Sequence, residues 1–291
     1  MLQPAPRAAE PSAQRLPAEG EIMDPDTAIG RMPAGAAGLT DDAFLGGALS
    51  ILQLRSGYRA GLDAVMLAAA VPDAMGRPLR VLDIGAGVGT AGLCVARRLP
   101  TAEVVLLERE KQLAEIAAEN IRRNGLTARV RVVAATVGAA PAELRGNMLA
   151  DESFDHVVAN PPYHTTGAGT RAPDALKAGA HAMDGEELER WARFMARMAM
   201  PGGAATIVHK ADALACVLMA LGTRFGALRI LPLHPRPDAP ANRVLVQGIK
   251  GSKAPLQILP GFILHGEGNG FTGAAQDILR NGAPLSLTGA R

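Results

Sequence analysis

The sequence predicts an α/β fold: a mostly parallel, doubly wound sheet of seven strands, with helices on both faces and an antiparallel hairpin at its end. Three observations support it. Short apolar segments alternate with helical ones from residue 79 onward. Most connections are long enough for crossover helices, which join parallel strands. The last two apolar segments are joined by a proline-rich loop too short for such a helix, so we expect them to pair as a hairpin at the sheet's edge.

Ahead of the sheet, residues 1–40 are rich in Ala, Pro and Gly and show no apolar period. We therefore predict a disordered tail over 1–40 and one folded domain over 41–291. Within that domain, 44–54 has strand-like pieces. Residues 60–71 have the composition of a helix, which Pro72 ends.

The alternating elements follow in order. Strands are predicted over 80–84, 103–107, 129–135, 154–159 and 204–209, with the hairpin strands over 228–233 and 244–249. Helices are predicted over 90–98, 111–123 and 184–200, and in a segment that ends at 221. The spacing of Asp184 and Glu187 predicts a capping box where the third helix starts, and Pro201-Gly202-Gly203 predicts its end.

The composition narrows the function classes. The longest apolar run, 62–71, has roughly half the ~20 residues that cross a bilayer and contains Asp63, so no membrane segment is predicted. The N-terminus lacks the pattern of a signal or transit peptide, so a cytoplasmic location is expected. Cys94 and Cys216 lie in no CxxC or Cys/His grouping, so neither a disulfide framework nor a metal site is predicted.

A glycine-rich turn follows the first strand of the sheet. Glycine stands at 85, 87 and 89, after Asp83, which is not the spacing of a dinucleotide fingerprint. No lysine is present to hold a phosphate, so the turn suits a neutral or cationic ligand. Glu108 ends the next strand about 20 residues on, where an acidic residue accepts hydrogen bonds from ribose hydroxyls.

The second motif, Asn160-Pro161-Pro162-Tyr163, follows the apolar strand 154–159. Proline fixes φ and favours an extended residue before it, so Asn160 is held outward at the end of the strand. The two prolines leave carbonyl groups as hydrogen-bond acceptors, and Tyr163 adds a flat face. These features predict a site for a planar group that bears an amine, although a proline turn with Tyr163 in the core is the structural alternative.

Together these motifs resemble the class I S-adenosyl-L-methionine-dependent methyltransferases with an NPPY motif, which modify exocyclic or amide nitrogen. The resemblance implies a Rossmann-like sheet that ends in an antiparallel hairpin. More narrowly, the block 57–68 (GYRAGLDAVMLA), with 234–236 and 242–245 in the hairpin, resembles the bacterial tRNA adenine-N6 methyltransferase family that acts on a valine tRNA.

The resemblance implies S-adenosyl-L-methionine as the cofactor and assigns roles to its binding residues. Gly85, Gly87 and Gly89 would line its methionine and ribose portions. Asp83 would orient that turn, Glu108 would hold the ribose hydroxyls, and Asp63 would close the methionine end. Thr136 stands where relatives place an acid against the cofactor's adenine amino group.

On the acceptor side, the oxygen of Asn160 and the carbonyl of Pro161 would accept the protons of the target amine, while Tyr163 stacks on the base. Arg171 and Lys177 lie in the segment 164–183, which we interpret as a substrate lid or a surface insertion.

The basic segment 229–253 includes Arg236 and Arg243, which are candidates for phosphate contacts, or serve only to protect an edge strand. RNA, tRNA above all, is the expected partner. The other acceptors that the residues leave open are a protein glutamine amide and a guanine amine in rRNA. A non-catalytic RNA-binding protein that keeps the fold is the alternative from another class.

Overall fold

A computed structural model describes residues 22–23, 38–56, 59–73, 77–147, 149–162 and 174–287; for 22–23, 141 and 174–184 it describes the backbone alone. The strands are β1 (Ile22–Met23), β2 (Leu39–Phe44), β3 (Leu49–Leu54), β4 (Arg80–Ile84), β5 (Glu103–Glu108), β6 (Val130–Ala134), β7 (Phe154–Ala159), β8 (Ala199–Lys210), β9 (Phe225–His234), β10 (Arg243–Lys250), β11 (Gln257–Ile258) and β12 (Phe262–Ile263). The helices are α1 (Leu62–Ala69), α2 (Thr90–Arg98), α3 (Lys111–Arg123), α4 (Pro141–Gly146), α5 (Asp174–Met198), α6 (Leu214–Gly222) and α7 (Gly273–Asn281).

The central sheet confirms the predicted fold class. Its order is β1-β6-β5-β4-β7-β8-β10-β9-β11, with β12 also paired to β9. Strands β4 to β8 are mutually parallel, whereas β10 is antiparallel to both β8 and β9. Since β4 lies between β5 and β7, the strand order reverses there, and ligands in such sheets bind beyond the carboxyl ends of the strands at that point.

The seven predicted strands correspond to β4 through β10, and three two-residue strands extend the sheet beyond them. The hairpin does not form the outermost edge as predicted, because β11 and β12 pair with the outer side of β9 in parallel. At the opposite edge, β1 pairs antiparallel with β6. A pair of residues from the segment predicted to be disordered therefore joins the sheet, while 1–21 and 24–37 lie outside the described residues.

Two boundaries predicted around α5 are wrong. The helix begins at Asp174, so Asp184 lies inside it rather than capping it, and 174–183 is helical rather than loop. The segment is rich in Ala and also contains Leu, Lys and Met, whose helix propensity outweighs its single glycine. At the other end, Pro201-Gly202-Gly203 lies within β8 as a bulge against β7, with Gly202 at φ +76°, because bulges tolerate Pro and Gly within a strand.

The N-terminal strands β2 and β3 form a separate antiparallel hairpin. The buried Asn120 of α3 attaches it to the domain: its amide group donates to Leu52 O at 3.0 Å and its oxygen accepts from Leu52 N at 2.8 Å. The same amide donates to Val88 O at 3.0 Å, so one side chain ties the hairpin to the glycine-rich turn. Apolar side chains fill both faces of the sheet, and no helix in the described ranges is long and apolar enough to cross a bilayer.

Candidate active site

A cleft of about 350 Å³ opens at the carboxyl ends of β4, β5, β6 and β7. Its volume falls in the range of small-molecule sites. The cleft is walled by the turn after β4, by β3 and the residues that follow it, and by one face of α5. Residues from six separate parts of the sequence therefore meet at the switch point of the sheet.

The glycines of the turn meet different requirements. Gly85 has φ +65°, and a Cβ there would lie 2.4 Å from the ring of Trp191, so the close approach of α5 demands glycine. Gly87 has φ +58°, yet a Cβ there would meet no atom within 4 Å, because it faces open space. Gly85 is thus required by packing, while Gly87 leaves backbone open to a ligand. Gly89, at φ +89°, directly precedes α2.

Glu108 is 6% exposed and lines the cleft. One carboxylate oxygen accepts from Gly87 N at 2.7 Å and the other from Glu110 N at 2.9 Å. These bonds fix the carboxylate beneath the glycine-rich turn. Each oxygen keeps a second lone pair, which could accept a hydroxyl proton from a ligand.

Asp83 lies deeper in the same cleft and is 2% exposed. Its carboxylate accepts from Gly92 N, in the first turn of α2, at 2.8 Å. The pKa of Asp83 is raised to about 7, mainly by burial; the hydrogen bond from the Gly92 amide opposes this rise, and the nearby charge of Glu108 adds to it. The side chain therefore holds the start of α2 against β4 and changes charge near neutral pH.

The parallel pairing of β7 with β4, in which Ala159 lies opposite Ile84, brings the Asn-Pro-Pro segment beside the glycine-rich turn. Asn160 is half-buried and Pro162 exposed, and both line the cleft; Pro161 is buried. Tyr163 lies outside the described residues. The structure thus brings Asn160 together with Asp83, Gly85, Gly87 and Glu108 around one cavity.

Other predicted residues lie apart or make internal contacts. Thr136, just beyond β6, lines the cleft. Asp63 forms an ion pair with Arg243, with Nε and Oδ2 2.9 Å apart, and neither is part of the cleft wall. The guanidinium of Arg236 donates to the carbonyl groups of Gly266 and Gly268 and to Asn269 Oδ1. Arg171 lies outside the described residues, and of Lys177 only the helical backbone is described.

Helix α5 contributes to the cleft, which was not predicted from the sequence. Glu187, Arg190 and Trp191, at helical spacing, all line the cleft. Trp191, the only tryptophan of the chain, is 7% exposed. The next helix in the chain after the Asn-Pro-Pro-Tyr motif carries the single Trp, and this signal was available in the sequence.

Gln53, which no sequence pattern indicated, is 2% exposed and belongs to the cleft wall. Its side chain accepts from Ala60 N at 2.8 Å and donates to Ala60 O at 3.2 Å and to Asp42 at 2.9 Å. Through these bonds Gln53 fixes the backbone of Ala60, two residues ahead of α1, at the cleft.

The charged groups of the cleft match the cofactor implied by the resemblance. Its lining includes four carboxyl groups, those of Asp83, Glu108, Glu110 and Glu187, and two guanidinium groups, those of Arg109 and Arg190. The excess of acid suits a ligand with a positive sulfonium and an ammonium group. Glu108 and the open backbone at Gly87 are placed to hold a ribose, so the residues present fit S-adenosyl-L-methionine.

Comparisons with known proteins find methyltransferases. Residues 63–183 match the family described as "Methyltransferase small domain". The chain is 31% identical over 189 residues to the tRNA1(Val) (adenine(37)-N6)-methyltransferase of Bacteroides fragilis strain YCH46, covering 65% of this chain and 76% of that one. It is 34% identical over 143 residues to the 4-amino-L-phenylalanine/4-methylamino-L-phenylalanine methyltransferase of Streptomyces pristinaespiralis. This match covers 47% of this chain and 46% of that one.

Among solved structures, protein Atu636 from Agrobacterium tumefaciens, described as a predicted O-methyltransferase, superimposes with a TM-score of 0.65 at 34% identity. The match covers 77% of this chain and 98% of that one. The cleft geometry and these relatives lead to one conclusion: the chain belongs to the S-adenosyl-L-methionine-dependent methyltransferases, in the family that includes the tRNA1(Val) (adenine(37)-N6)-methyltransferases.

Proposed function

We propose that this enzyme methylates the exocyclic N6 amine of an adenine in tRNA. One observation carries the proposal: Asn160 and Pro162 line the same cleft as Gly87 and Glu108, so an amine held at the end of β7 would lie beside a cofactor held by the glycine-rich turn and Glu108. The relatives named as tRNA1(Val) methyltransferases act on adenine 37, which makes that nucleotide the first to test.

The chemistry follows from the acceptors at the end of β7. An aromatic amine is a poor nucleophile because its lone pair is delocalised into the ring. The oxygen of Asn160 and the carbonyl of Pro161 can accept its two protons, which favours a more tetrahedral nitrogen with a localised lone pair. When bound, S-adenosyl-L-methionine supplies an electrophilic methyl group, and positioning of the amine gives most of the rate acceleration. The reaction needs no strong general base. Tyr163 is assigned to stack on the target nucleobase.

The two acceptors favour nitrogen over oxygen as the methylated atom. A hydroxyl group has one proton to donate and would leave one of the two acceptors without a partner, whereas an amine satisfies both. The proposed reaction therefore differs from the O-methylation named for Atu636. The methylated group of the Streptomyces relative, an amine on an aromatic ring, is of the proposed kind.

A protein glutamine amide is the second candidate, because it also presents two N–H protons on a planar group. The release factor glutamine methyltransferase of Gloeobacter violaceus is 37% identical over 87 residues, but the match covers only 29% of this chain and 27% of that one. The longer match to the tRNA enzymes ranks adenine first. A guanine amine in rRNA has the same chemistry and is a third outcome of the test.

For the RNA we propose contacts through Arg171, Lys177, Arg236 and Arg243 and a cytoplasmic site of action, where tRNA is available. Arg236 and Arg243 also have internal partners in Asn269 and Asp63, so their contribution to RNA binding is to be tested separately from their contribution to stability.

The decisive experiment is transfer of a radiolabelled methyl group to purified tRNA, rRNA and nucleic-acid-free lysate protein, followed by nucleoside analysis of the labelled pool. We expect label in tRNA as N6-methyladenosine. Asn160→Ala should abolish transfer and leave cofactor affinity within a few fold of wild type. Asn281→Ala, on the exposed end of α7, is the matched control and should keep full activity. If no pool is labelled although the cofactor binds, the proposal is wrong.

A further inference from the structure

A pair of stacked rings lies at the surface in the turn between β12 and α7. The centroids of the His265 and Phe271 rings are 4.5 Å apart, and their planes differ by 22°. Phenylalanine is among the residues most often buried, yet Phe271 is 36% exposed. Its ring therefore rests on the imidazole while part of the residue reaches solvent.

Hydrogen bonds fix the turn that carries the rings. His265 N donates to Pro235 O at 3.1 Å, which joins the turn to the residues after β9. Thr272, the N-cap of α7, donates from its backbone N to Leu264 O and from its hydroxyl to Ile263 O, both at 2.9 Å. Because the rings are already held in place, a ligand that stacks on them has little of the protein to order.

The ring pair lies at the same edge of the sheet as the cleft. Strand β12 is parallel to β9, which two antiparallel pairings through β10 make parallel to β8 and β7. The residues after Ile263 therefore emerge where β7 ends at Asn160. Four strand spacings separate β7 from β12, a distance of roughly 19 Å. A single nucleotide held at Asn160 would not span this distance, whereas a longer RNA would.

A cation stands beside the rings. The exposed Arg236 guanidinium donates to the carbonyl groups of Gly266 and Gly268 in the turn and to the amide oxygen of Asn269. These acceptors are neutral. Among the described residues, no ion pair includes Arg236 or Glu267, the acid of the same turn. A phosphate that approaches the turn therefore meets a guanidinium that no carboxylate contacts directly.

We propose that Phe271 stacks on an unpaired nucleobase of the RNA substrate, outside the methylation cleft, while Arg236 binds a neighbouring phosphate. A flat aromatic face next to a cation is typical of sites for unpaired bases, since every base has a face to stack and a phosphate nearby. The contact orients the RNA rather than reading its sequence. It rests on the proposed function, because it requires RNA as the acceptor.

The test is equilibrium binding of end-labelled tRNA, of the kind that the wild type methylates, at several salt concentrations. Phe271→Ala and Phe271→Leu should bind about tenfold more weakly, whereas Phe271→Tyr, which keeps a flat ring, should stay within about twofold of wild type. The dependence of the logarithm of affinity on the logarithm of salt concentration should keep its slope, because stacking releases no counterions. Arg236→Gln should instead reduce that slope by about one.

Steady-state methylation separates an RNA contact from a change in the cleft. Phe271→Ala should raise KM for the tRNA about tenfold and leave kcat and cofactor affinity within about twofold, because the rings lie away from the cleft. Ile258→Ala is the matched control, since Ile258 is 71% exposed on β11 at the same outer side of the sheet and has no ring. It should bind and methylate tRNA as the wild type does.

Wild-type affinity in Phe271→Ala or Phe271→Leu would overturn the stacking contact and leave the proposed function in place. Failure of the wild type to bind or methylate tRNA would overturn both. Equal losses in Phe271→Ala and Ile258→Ala, with a dimeric wild type and monomeric variants in sedimentation, would mean that this edge docks a second copy of the chain instead. If Phe271→Ala has a lower midpoint of thermal unfolding, Phe271→Leu against Phe271→Tyr decides, because both fill the space.

Discussion

The buried carboxyl group of Asp83 makes the ligand-free protein less stable as pH rises, and Asp83→Asn should remove this loss of stability. Asparagine has nearly the same shape, and its oxygen can still accept the hydrogen bond from Gly92 N, which is 2.8 Å from Asp83 Oδ2. The change therefore removes the ionisable group and leaves the contact between β4 and α2 in place.

The magnitude follows from the pKa of Asp83, which burial raises from 3.8 to about 7. An acid with a raised pKa in the folded state binds more protons there than in the unfolded chain, so the free energy of unfolding falls as pH rises from about 4 to 7. Each pKa unit corresponds to about 1.4 kcal/mol, and rearrangement or hydration of the buried group would reduce the total, so we expect about 2–4 kcal/mol.

His156 contributes the opposite pH dependence of stability, and its effect has to be separated from that of Asp83. Burial lowers its pKa to about 4, so the protein gains stability from this group as pH rises from about 4 to 6.5. The wild-type curve is the sum of both effects and is not diagnostic by itself. The difference between Asp83→Asn and wild type removes the His156 contribution, because both proteins contain it.

The assay is urea unfolding followed by circular dichroism at several pH values from 4 to 8, without cofactor. Asp83→Asn should match the wild type near pH 4 and exceed its free energy of unfolding by about 2–4 kcal/mol at pH 8. Asp238→Asn, at an exposed position in the loop between β9 and β10, controls for the loss of a negative charge. A difference that does not change with pH, or an Asp83→Asn protein that is less stable at pH 8, would refute the reasoning.

Three further predictions concern the cleft and its border. In urea unfolding, Gly85→Ala should lower the free energy of unfolding by about 2–3 kcal/mol, because alanine would have to adopt φ +65° and would also meet the Trp191 ring. Gly87→Ala has open space at Cβ and should lower it by only about 1 kcal/mol. Fluorescence of Trp191, the only tryptophan, should change in a saturable way when cofactor is added, and an unchanged spectrum would contradict its place in the cleft wall. A double-mutant cycle on Asp63→Ala and Arg243→Ala should give a coupling of about 0.5–1 kcal/mol, and zero coupling would mean that their contact adds nothing to stability.

Much of the sheet could be predicted because its signals are local. The strand over 154–159 and the helix over 111–123 have the bounds predicted from apolar periodicity. The errors around α5 have a local origin too: a capping-box spacing also fits a helix interior, and a Pro-Gly-Gly turn also fits a bulge. Local patterns permit several structures at such points, and the surrounding packing selects one.

The sequence by itself determined which residues could meet at the carboxyl ends of the parallel strands. A proline pair fixes the backbone after Asn160, and a parallel sheet places all strand ends on one side, so Asn160 and Glu108 share that edge through chain stiffness and topology. Only the tertiary structure decided what surrounds them. Asp63 meets Arg243 across 180 positions of sequence, and Trp191 of α5 covers Gly85. Such contacts depend on the register and packing of distant elements, which no local pattern encodes.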